Sequence, residues 1–134
     1  MKKAFASVAL TLALSSSAVA GGKYKFDLKA PTSAKKDAKT TTTLHFHGTA
    51  PYHVNVDYPV KLTITAPSGV KVEKATQTQK DAVKFEKEGA DFAVEFTPSE
   101  TGKKSFTGEM KFAVCTATEC APSYEKIAFD VDVN

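Results

Sequence analysis

The residues of this chain that could carry out chemistry are its two cysteines, which lie close together near the C-terminal end. They form the segment Cys115-Thr116-Ala117-Thr118-Glu119-Cys120, and Ala121-Pro122 follows. Two thiols at this spacing can form a disulfide, either as a permanent link or as a couple that exchanges electrons with other thiols. The position of the two sulfur atoms in the fold decides between these two kinds of chemistry.

The N-terminal segment has the three parts of a secretory signal peptide. Lys2 and Lys3 give it a positive start, residues 4–14 are largely apolar, and Ala18-Val19-Ala20 matches an A-x-A cleavage site. We therefore expect a signal peptide at residues 1–20 and a mature chain beginning at Gly21, located in the periplasm or secreted. Since no cysteine stands at the cleavage site and the apolar stretch is short, we expect neither a lipid anchor nor a membrane span.

The composition argues against nucleic acid as a partner. All 18 basic residues are lysine, and the formal net charge of +3 falls to +1 without Lys2 and Lys3. A chain without arginine lacks the bidentate guanidinium contacts that favour recognition of phosphates and bases. The sequence also contains no Ser-His-Asp spacing, Gly-rich phosphate loop or paired-carboxylate motif. Hydrolase and nucleotide-binding functions are therefore not expected, and no cofactor is implied.

Alternation of apolar and polar residues predicts an all-β fold. Between Tyr52 and Ile64 the even positions are apolar or aromatic, which gives the strand one buried side and one side facing solvent. Pro59 indicates an edge strand or a break at Tyr58. Seven or eight such strands, separated by Gly- and Pro-containing turns, predict one immunoglobulin-like antiparallel β-sandwich over residues 21–134. Two segments stay open: residues 73–88 could hold a short helix, and residues 32–43 are either a flexible connection or the start of an edge strand.

The same alternation places both cysteines on the outer side of the last two strands. On the first strand the even positions of residues 106–114 point inward, so Cys115 is in phase with the polar residues. On the second strand the odd positions of residues 127–133 point inward, which puts Cys120 outward unless a bulge near Pro122 shifts the register. If the four intervening residues form the connection, the cysteines are cross-strand neighbours with Cα atoms about 4.5–5.5 Å apart. Both sulfur atoms are then expected near solvent.

Such a disulfide could be reversible or inert. A ring of so few residues stabilises the fold by only about 2 kcal/mol in the chain-entropy estimate. Exposed disulfides belong to the class that exchanges readily. Glu119 beside Cys120 disfavours a thiolate, and the spacing places no lysine or histidine nearby. A passive electron relay is therefore expected rather than an oxidase, and the alternative is a structural or protein-interaction β-sandwich with an inert hairpin disulfide.

Three histidines form a second candidate site. His45 and His47 are outward on one predicted strand, His53 is outward on the next, and the turn at residues 48–51 could bring all three together. Three imidazoles suit zinc or copper, which makes a periplasmic copper- or zinc-binding protein the third hypothesis. The other interpretation of these residues is a solvated surface without a ligand.

The segment Phe112-Ala113-Val114-Cys115-x4-Cys120-x-Pro122, followed by a final strand, resembles the periplasmic N-terminal domain of the DsbD thiol:disulfide interchange protein family. The upstream run Tyr52-His53-Val54-Asn55-x2-Tyr58-Pro59 is similar to a segment of the same domain, which has an immunoglobulin-like fold. The resemblance extends over most of the mature chain. It implies that Cys115 and Cys120 are a redox pair that receives electrons from a thioredoxin-like domain and passes them to periplasmic partners. It also implies that Cys120 forms the mixed disulfide.

The partners that this resemblance implies are a thioredoxin-fold protein or a membrane transporter of thiol reductant. The family protein continues into a membrane-embedded electron-carrying domain and a C-terminal thioredoxin-like domain, which are absent from these 134 residues. We therefore expect a monomeric thiol-disulfide oxidoreductase component without its own electron source. Aromatic residues shield the disulfide in that family, and Tyr124, Tyr52 and Phe46 are the candidates here, with Pro122 as a further neighbour of the disulfide.

Overall fold

The computed structural model describes residues 22–134, so the predicted signal peptide at residues 1–20 lies outside the described residues. The described part of the chain contains one 3-10 turn at Gln79–Asp81 and eleven strands. The strands are β1 (Tyr24–Lys29), β2 (Ser33–Ala34), β3 (Thr40–Gly48), β4 (His53–Val54), β5 (Lys61–Thr65), β6 (Val70–Val72), β7 (Thr76–Thr78), β8 (Lys84–Glu86), β9 (Gly89–Pro98), β10 (Gly102–Cys115) and β11 (Cys120–Val133).

These strands form the two sheets of a sandwich. One sheet has the order β1-β3-β9-β6 with β8 beside β9, and the other has the order β2-β11-β10-β5-β7 with β4 beside β10. The pairing of β2 with β11 is parallel, and the other pairings of the described strands are antiparallel. The predicted immunoglobulin-like β-sandwich is confirmed. The strand number exceeds the predicted seven or eight because five of the strands contain only two or three residues.

Three segments differ from the simplest prediction. The alternating run from Tyr52 to Ile64 is broken into β4 and β5, and both pair with β10. The short helix considered for residues 73–88 is limited to the 3-10 turn, which lies between β7 and β8. Residues 32–43 contain β2 and the first part of β3, which is a central strand between β1 and β9 rather than an edge. Within residues 22–134, no helix has the length and apolar character needed to cross a membrane.

The core between the sheets is built from aromatic rings that belong to both of them. The ring of Phe112 on β10 lies 4.3 Å from that of Phe46 on β3 and 4.9 Å from that of Tyr24 on β1, measured between centroids. The ring of Phe106 lies 4.7 Å from that of Phe96. The four phenylalanines are fully buried. Phe112 therefore joins β10 to the opposite sheet at the end of the sandwich that carries the cysteines.

A polar contact joins the two sheets beside this aromatic cluster. The Tyr24 hydroxyl on β1 donates a hydrogen bond to the Glu125 carboxylate on β11. Partial burial of the phenol, followed by the hydrogen bond and the negative charge of Glu125, raises the pKa of Tyr24 to about 12. The neutral phenol is therefore favoured by the folded state.

We predict that F112A lowers the free energy of unfolding by about 3–5 kcal/mol, because it removes a fully buried ring and leaves a cavity. The measurement is chemical denaturation followed by circular dichroism. V83A is the matched control, since Val83 is 72% exposed and its truncation should change the stability little. A loss below about 1 kcal/mol in F112A would contradict the assigned packing.

Tyr24 should make the stability depend on pH in alkaline solution. The folded-state pKa of about 12 is above the reference value of 10.0, so the contribution of Tyr24 is fully present below pH 10 and is lost as the pH rises towards 12. Y24F lacks this titration and is the control. We expect the stability advantage of the wild type over Y24F to decrease between pH 9 and pH 12 in denaturation experiments, whereas a constant difference would contradict the contact.

Candidate functional site

The cysteines lie at the distal end of the long hairpin formed by β10 and β11. Both strands are 14 residues long and stay in register from Gly102↔Val133 to Cys115↔Cys120, so no bulge occurs near Pro122. The connection closes where the Thr116 N–H donates to the Glu119 carbonyl at 2.7 Å. The Thr116 hydroxyl also accepts the backbone N–H of Glu119 at 3.1 Å. The predicted four-residue connection is therefore confirmed.

Cys115 and Cys120 form a disulfide, as the cross-strand spacing predicts. Their Cα atoms are 4.0 Å apart, closer than expected. Because Thr116 and Glu119 are a hydrogen-bonded pair, the cysteine pair next to them is a non-hydrogen-bonded pair, which is the more closely spaced kind in antiparallel sheets.

The two cysteines differ in their access to solvent. Cys120 is exposed, whereas Cys115 is only 5% exposed. The prediction that both sulfur atoms lie near solvent is thus wrong for Cys115. The reason is that β4 pairs with the distal end of β10, so Cys115 has a strand on each side, with His53 opposite it on β4 and Cys120 opposite it on β11.

This pairing brings a histidine next to the disulfide. Directly opposed residues of neighbouring strands carry their side chains on the same face, so His53, Cys115 and Cys120 form one row across three strands. The amide nitrogen Nδ2 of Asn55 lies 3.9 Å from the Cys120 Sγ. The spacing of the sequence did not require a histidine near the cysteines, and the pairing of β4 with β10 places His53 there. No local pattern indicates this contact, because the pairing joins residues far apart in the chain.

Tyr52 also reaches the tip of the hairpin. Its hydroxyl donates to the Glu119 carboxylate, and this hydrogen bond raises the pKa of Tyr52. A Cβ added at Gly48 would lie 2.6 Å from the carbonyl carbon of Tyr52 and 2.9 Å from the His53 nitrogen, so only glycine allows the two backbone segments to approach this closely. Glycine at position 48 therefore allows the backbone of Tyr52 and His53 to pack directly against β3.

The other candidate cap residues lie elsewhere. Phe46 is fully buried in the core against Phe112, so its assignment as a shield of the disulfide is wrong. Tyr124 shares the outer face of β11 with Cys120 but is four residues away, about 13 Å along the strand. It is 47% exposed, and the exposed Pro122 lies between it and Cys120. The outer face of β11 thus presents a row of Cys120, Pro122 and Tyr124.

The three histidines do not converge. His45 and His47 lie on the outer face of the sheet that contains β3, whereas His53 lies on the outer face of the other sheet. The two faces are on opposite sides of the sandwich, so the site of three imidazoles considered for zinc or copper does not form. Within residues 22–134 no group of three or more His, Cys, Asp or Glu side chains has the arrangement of a metal site.

Comparison with known proteins gives similarity in the fold only. No protein-family model matches the chain, and no curated protein does. Among solved structures, AggA, the major subunit of aggregative adherence fimbriae type I from Escherichia coli, is similar at a TM-score of 0.46 and 7% identity, over 83% of this chain and 94% of AggA. A cohesin module of a family 33 glycoside hydrolase from Clostridium perfringens is similar at a TM-score of 0.40 and 12% identity, over 84% and 97%. Membership in the DsbD family stays a prediction from the sequence.

We predict that reduction of the disulfide destabilises the protein by only about 2 kcal/mol, because the bond closes a very short ring. The measurement is denaturation of the oxidised protein and of the protein kept reduced by a phosphine. Circular dichroism should show that the reduced protein keeps its β structure at 25 °C. Loss of the fold on reduction would contradict this prediction and would assign the bond a structural role.

Proposed function

We propose that this protein is a thiol-disulfide exchange module, the oxidoreductase component of a periplasmic electron relay, in which Cys115 and Cys120 are the redox couple. The observation that carries the proposal is the unequal exposure of the two bonded cysteines, since exchange requires that an attacking thiolate reach one sulfur along the S–S axis. Exposed Cys120 offers that access, while nearly buried Cys115 is protected from the same attack.

The position of the bond in the fold also supports exchange rather than stapling. The disulfide joins two strands that a continuous backbone ladder already holds in register, and it does not connect the two sheets. A local ring adds little to stability. Opening the bond therefore leaves the hydrogen bonds of the hairpin in place, so the reduced and oxidised proteins can share one fold.

In the proposed reaction, a thiolate of a donor dithiol attacks the Cys120 sulfur. The Cys115–Cys120 bond breaks, a mixed disulfide forms between the donor and Cys120, and Cys115 leaves as a thiolate and takes up a proton. The second thiol of the donor then attacks the donor sulfur that is bonded to Cys120. The donor becomes a disulfide, and Cys120 leaves as a thiolate. Two electrons and two protons pass from the donor dithiol to this protein, which can pass them on to an oxidised partner by the reverse steps.

Neighbouring side chains suit the separate roles of the two cysteines. His53 is paired with Cys115 across β4 and β10 on the same face, and in the proposed reaction its imidazole exchanges a proton with the leaving thiolate. Asn55 presents an amide nitrogen to the Cys120 sulfur, and Glu119 is held by Tyr52. The carboxylate beside Cys120 is thus engaged in a hydrogen bond.

The surface around Cys120 fits a protein partner of thioredoxin fold or a membrane transporter of thiol reductant. Beyond Cys120, the outer face of β11 carries exposed Pro122 and half-exposed Tyr124, which provide apolar area for a transient contact. The proposed location is the periplasm or the exterior of the cell, where an oxidised pair is chemically stable. The electrons come from the partner.

The first test is the equilibrium of the disulfide with glutathione or thioredoxin buffers. We expect a reduction potential above about −300 mV. We also expect a mixed disulfide through Cys120 when C115S, its remaining thiol first activated as a mixed disulfide with thionitrobenzoate, reacts with a thioredoxin variant that retains only its attacking cysteine, and thionitrobenzoate leaves. C120S is the matched control, because its remaining thiol is the buried one and should form the adduct much more slowly. A potential well below about −300 mV, with no adduct in either variant, would instead establish an inert staple.

The role of His53 is tested separately by H53A. In H53A we expect the intact Cys115–Cys120 disulfide to exchange with a dithiol more slowly than in the wild type, because the proton of His53 is used when the bond opens. The denaturation midpoint should change little, because His53 is only partly buried. H53Q, which keeps the size and polarity of the side chain but cannot titrate, should be equally slow. Unchanged rates in both variants would remove His53 from the mechanism while leaving the cysteine couple intact.

A further inference from the structure

A second cluster of ionisable side chains lies on the opposite face of the sandwich, away from the disulfide. His45 and His47 point outward from β3, and Asp91 points outward from β9 directly opposite His45. The His45 Nδ1 is hydrogen-bonded to the Asp91 carboxylate. The His45 Nε2 lies 3.3 Å from the His47 Nδ1. The three side chains therefore form a chain of contacts in the order Asp91, His45, His47.

The carboxylate defines which nitrogen of His45 is free. Because a carboxylate only accepts hydrogen bonds, the His45 Nδ1 carries a proton, and in the neutral ring the lone pair then lies on Nε2. That lone pair faces the His47 Nδ1, which donates a hydrogen bond to it when His47 carries its proton on Nδ1. In metal sites, a ligating histidine almost always donates its other N–H to a carboxylate or carbonyl in the same way.

The separation of the two nitrogens matches that of two ligands on one zinc ion. Zinc binds imidazole nitrogen at about 2.0–2.1 Å in tetrahedral geometry, which places two such nitrogens about 3.3 Å apart. The separation between the His45 Nε2 and the His47 Nδ1 is 3.3 Å. An ion bound to both nitrogens lies to one side of the line that joins them, so each ring has to turn by about 35° to point its lone pair at the ion. The separation of the two nitrogens itself does not have to change, and His47 has to change its tautomer.

The surroundings of the pair are compatible with a bound cation. Asp27 on β1 stands opposite His45 on the side away from Asp91, so one row across three strands carries two carboxylates. Lys25 stands opposite His47, and Lys84 stands opposite Asp91. The Lys84 ammonium lies 3.5 Å from the Glu86 carboxylate, which partly neutralises it. Beneath the rings, a Cβ at Gly89 would lie 3.1 Å from the His45 Cε1, so glycine leaves the room that the His45 ring occupies.

We propose that His45 and His47 bind a zinc ion through the His45 Nε2 and the His47 Nδ1, with Asp91 orienting His45 and solvent completing the coordination. With two protein ligands the site is open, and its affinity is modest. It is independent of the disulfide, since it uses the opposite sheet and no sulfur ligand. It also differs from a site of three histidines, because His53 is not part of it and Asp91 acts only by orienting His45.

The test is a zinc titration of the purified oxidised protein, monitored by competition with a zinc-binding chromophore. We expect one equivalent of zinc per chain, loss of binding in H45A and in H47A, and an affinity about 10–100-fold lower in D91N. H53A is the matched control, because it removes a histidine from the other face, and it should bind as the wild type does. Absence of stoichiometric binding, or equal loss in H53A, would overturn the proposal.

Nitrogen NMR of the imidazoles provides a second measurement that does not depend on the folding of the alanine variants. Zinc below one equivalent should shift the signals of the His45 Nε2 and the His47 Nδ1 and leave those of His53 unchanged. H45Q and H47Q each keep a polar side chain on the strand, and each should abolish the shift at the histidine of the pair that remains. Equal shifts at all three histidines would identify unspecific surface binding and would refute the site.

Discussion

The pairing of β10 with β11 is the interaction on which the rest of this structure depends. Its ladder runs without interruption from Gly102↔Val133 to Cys115↔Cys120. On its other side, β10 also pairs with β5 and β4, so its side chains form the middle of one sheet. Phe112 on this strand packs against the opposite sheet. This one register determines where the disulfide lies, how exposed each cysteine is, and where the aromatic core is centred.

Because the register is held by backbone hydrogen bonds and by the core, the disulfide is not needed to define the hairpin. A cross-link adds most when it joins segments that would otherwise separate widely in the unfolded chain. Here it joins neighbours across a tight turn. Opening or closing the disulfide therefore changes the stability of the fold only a little. A protein that cycles between oxidised and reduced states requires this property. The unequal exposure of the two cysteines is what favours the proposed relay over a local closure.

The sandwich keeps two groups of reactive side chains apart. The disulfide and His53 lie on the outer face of one sheet, and His45, His47 and Asp91 lie on the outer face of the other. Between the two faces lies a buried aromatic core that includes Phe46 and Phe112. A zinc ion on one face would therefore have no thiol within reach, and the disulfide would be left free to exchange. This separation arises because consecutive side chains of β3 alternate between the core and solvent.

The sequence by itself determined the elements that depend on local pattern: the all-β class, the inward side of β10 and β11, the four-residue connection and the pairing of Cys115 with Cys120. These follow from the period of two along a strand and from short-range turn chemistry.

Only the tertiary structure decided the remainder. The alternation that placed Cys115 outward was correct about direction but not about exposure, because the solvent exposure of an outward residue depends on which strand pairs beside it. The same long-range pairing of β4 brought His53 to the disulfide and separated it from His45 and His47, and packing between the sheets took Phe46 into the core. Contacts between distant segments set these outcomes, and no period along the chain encodes them.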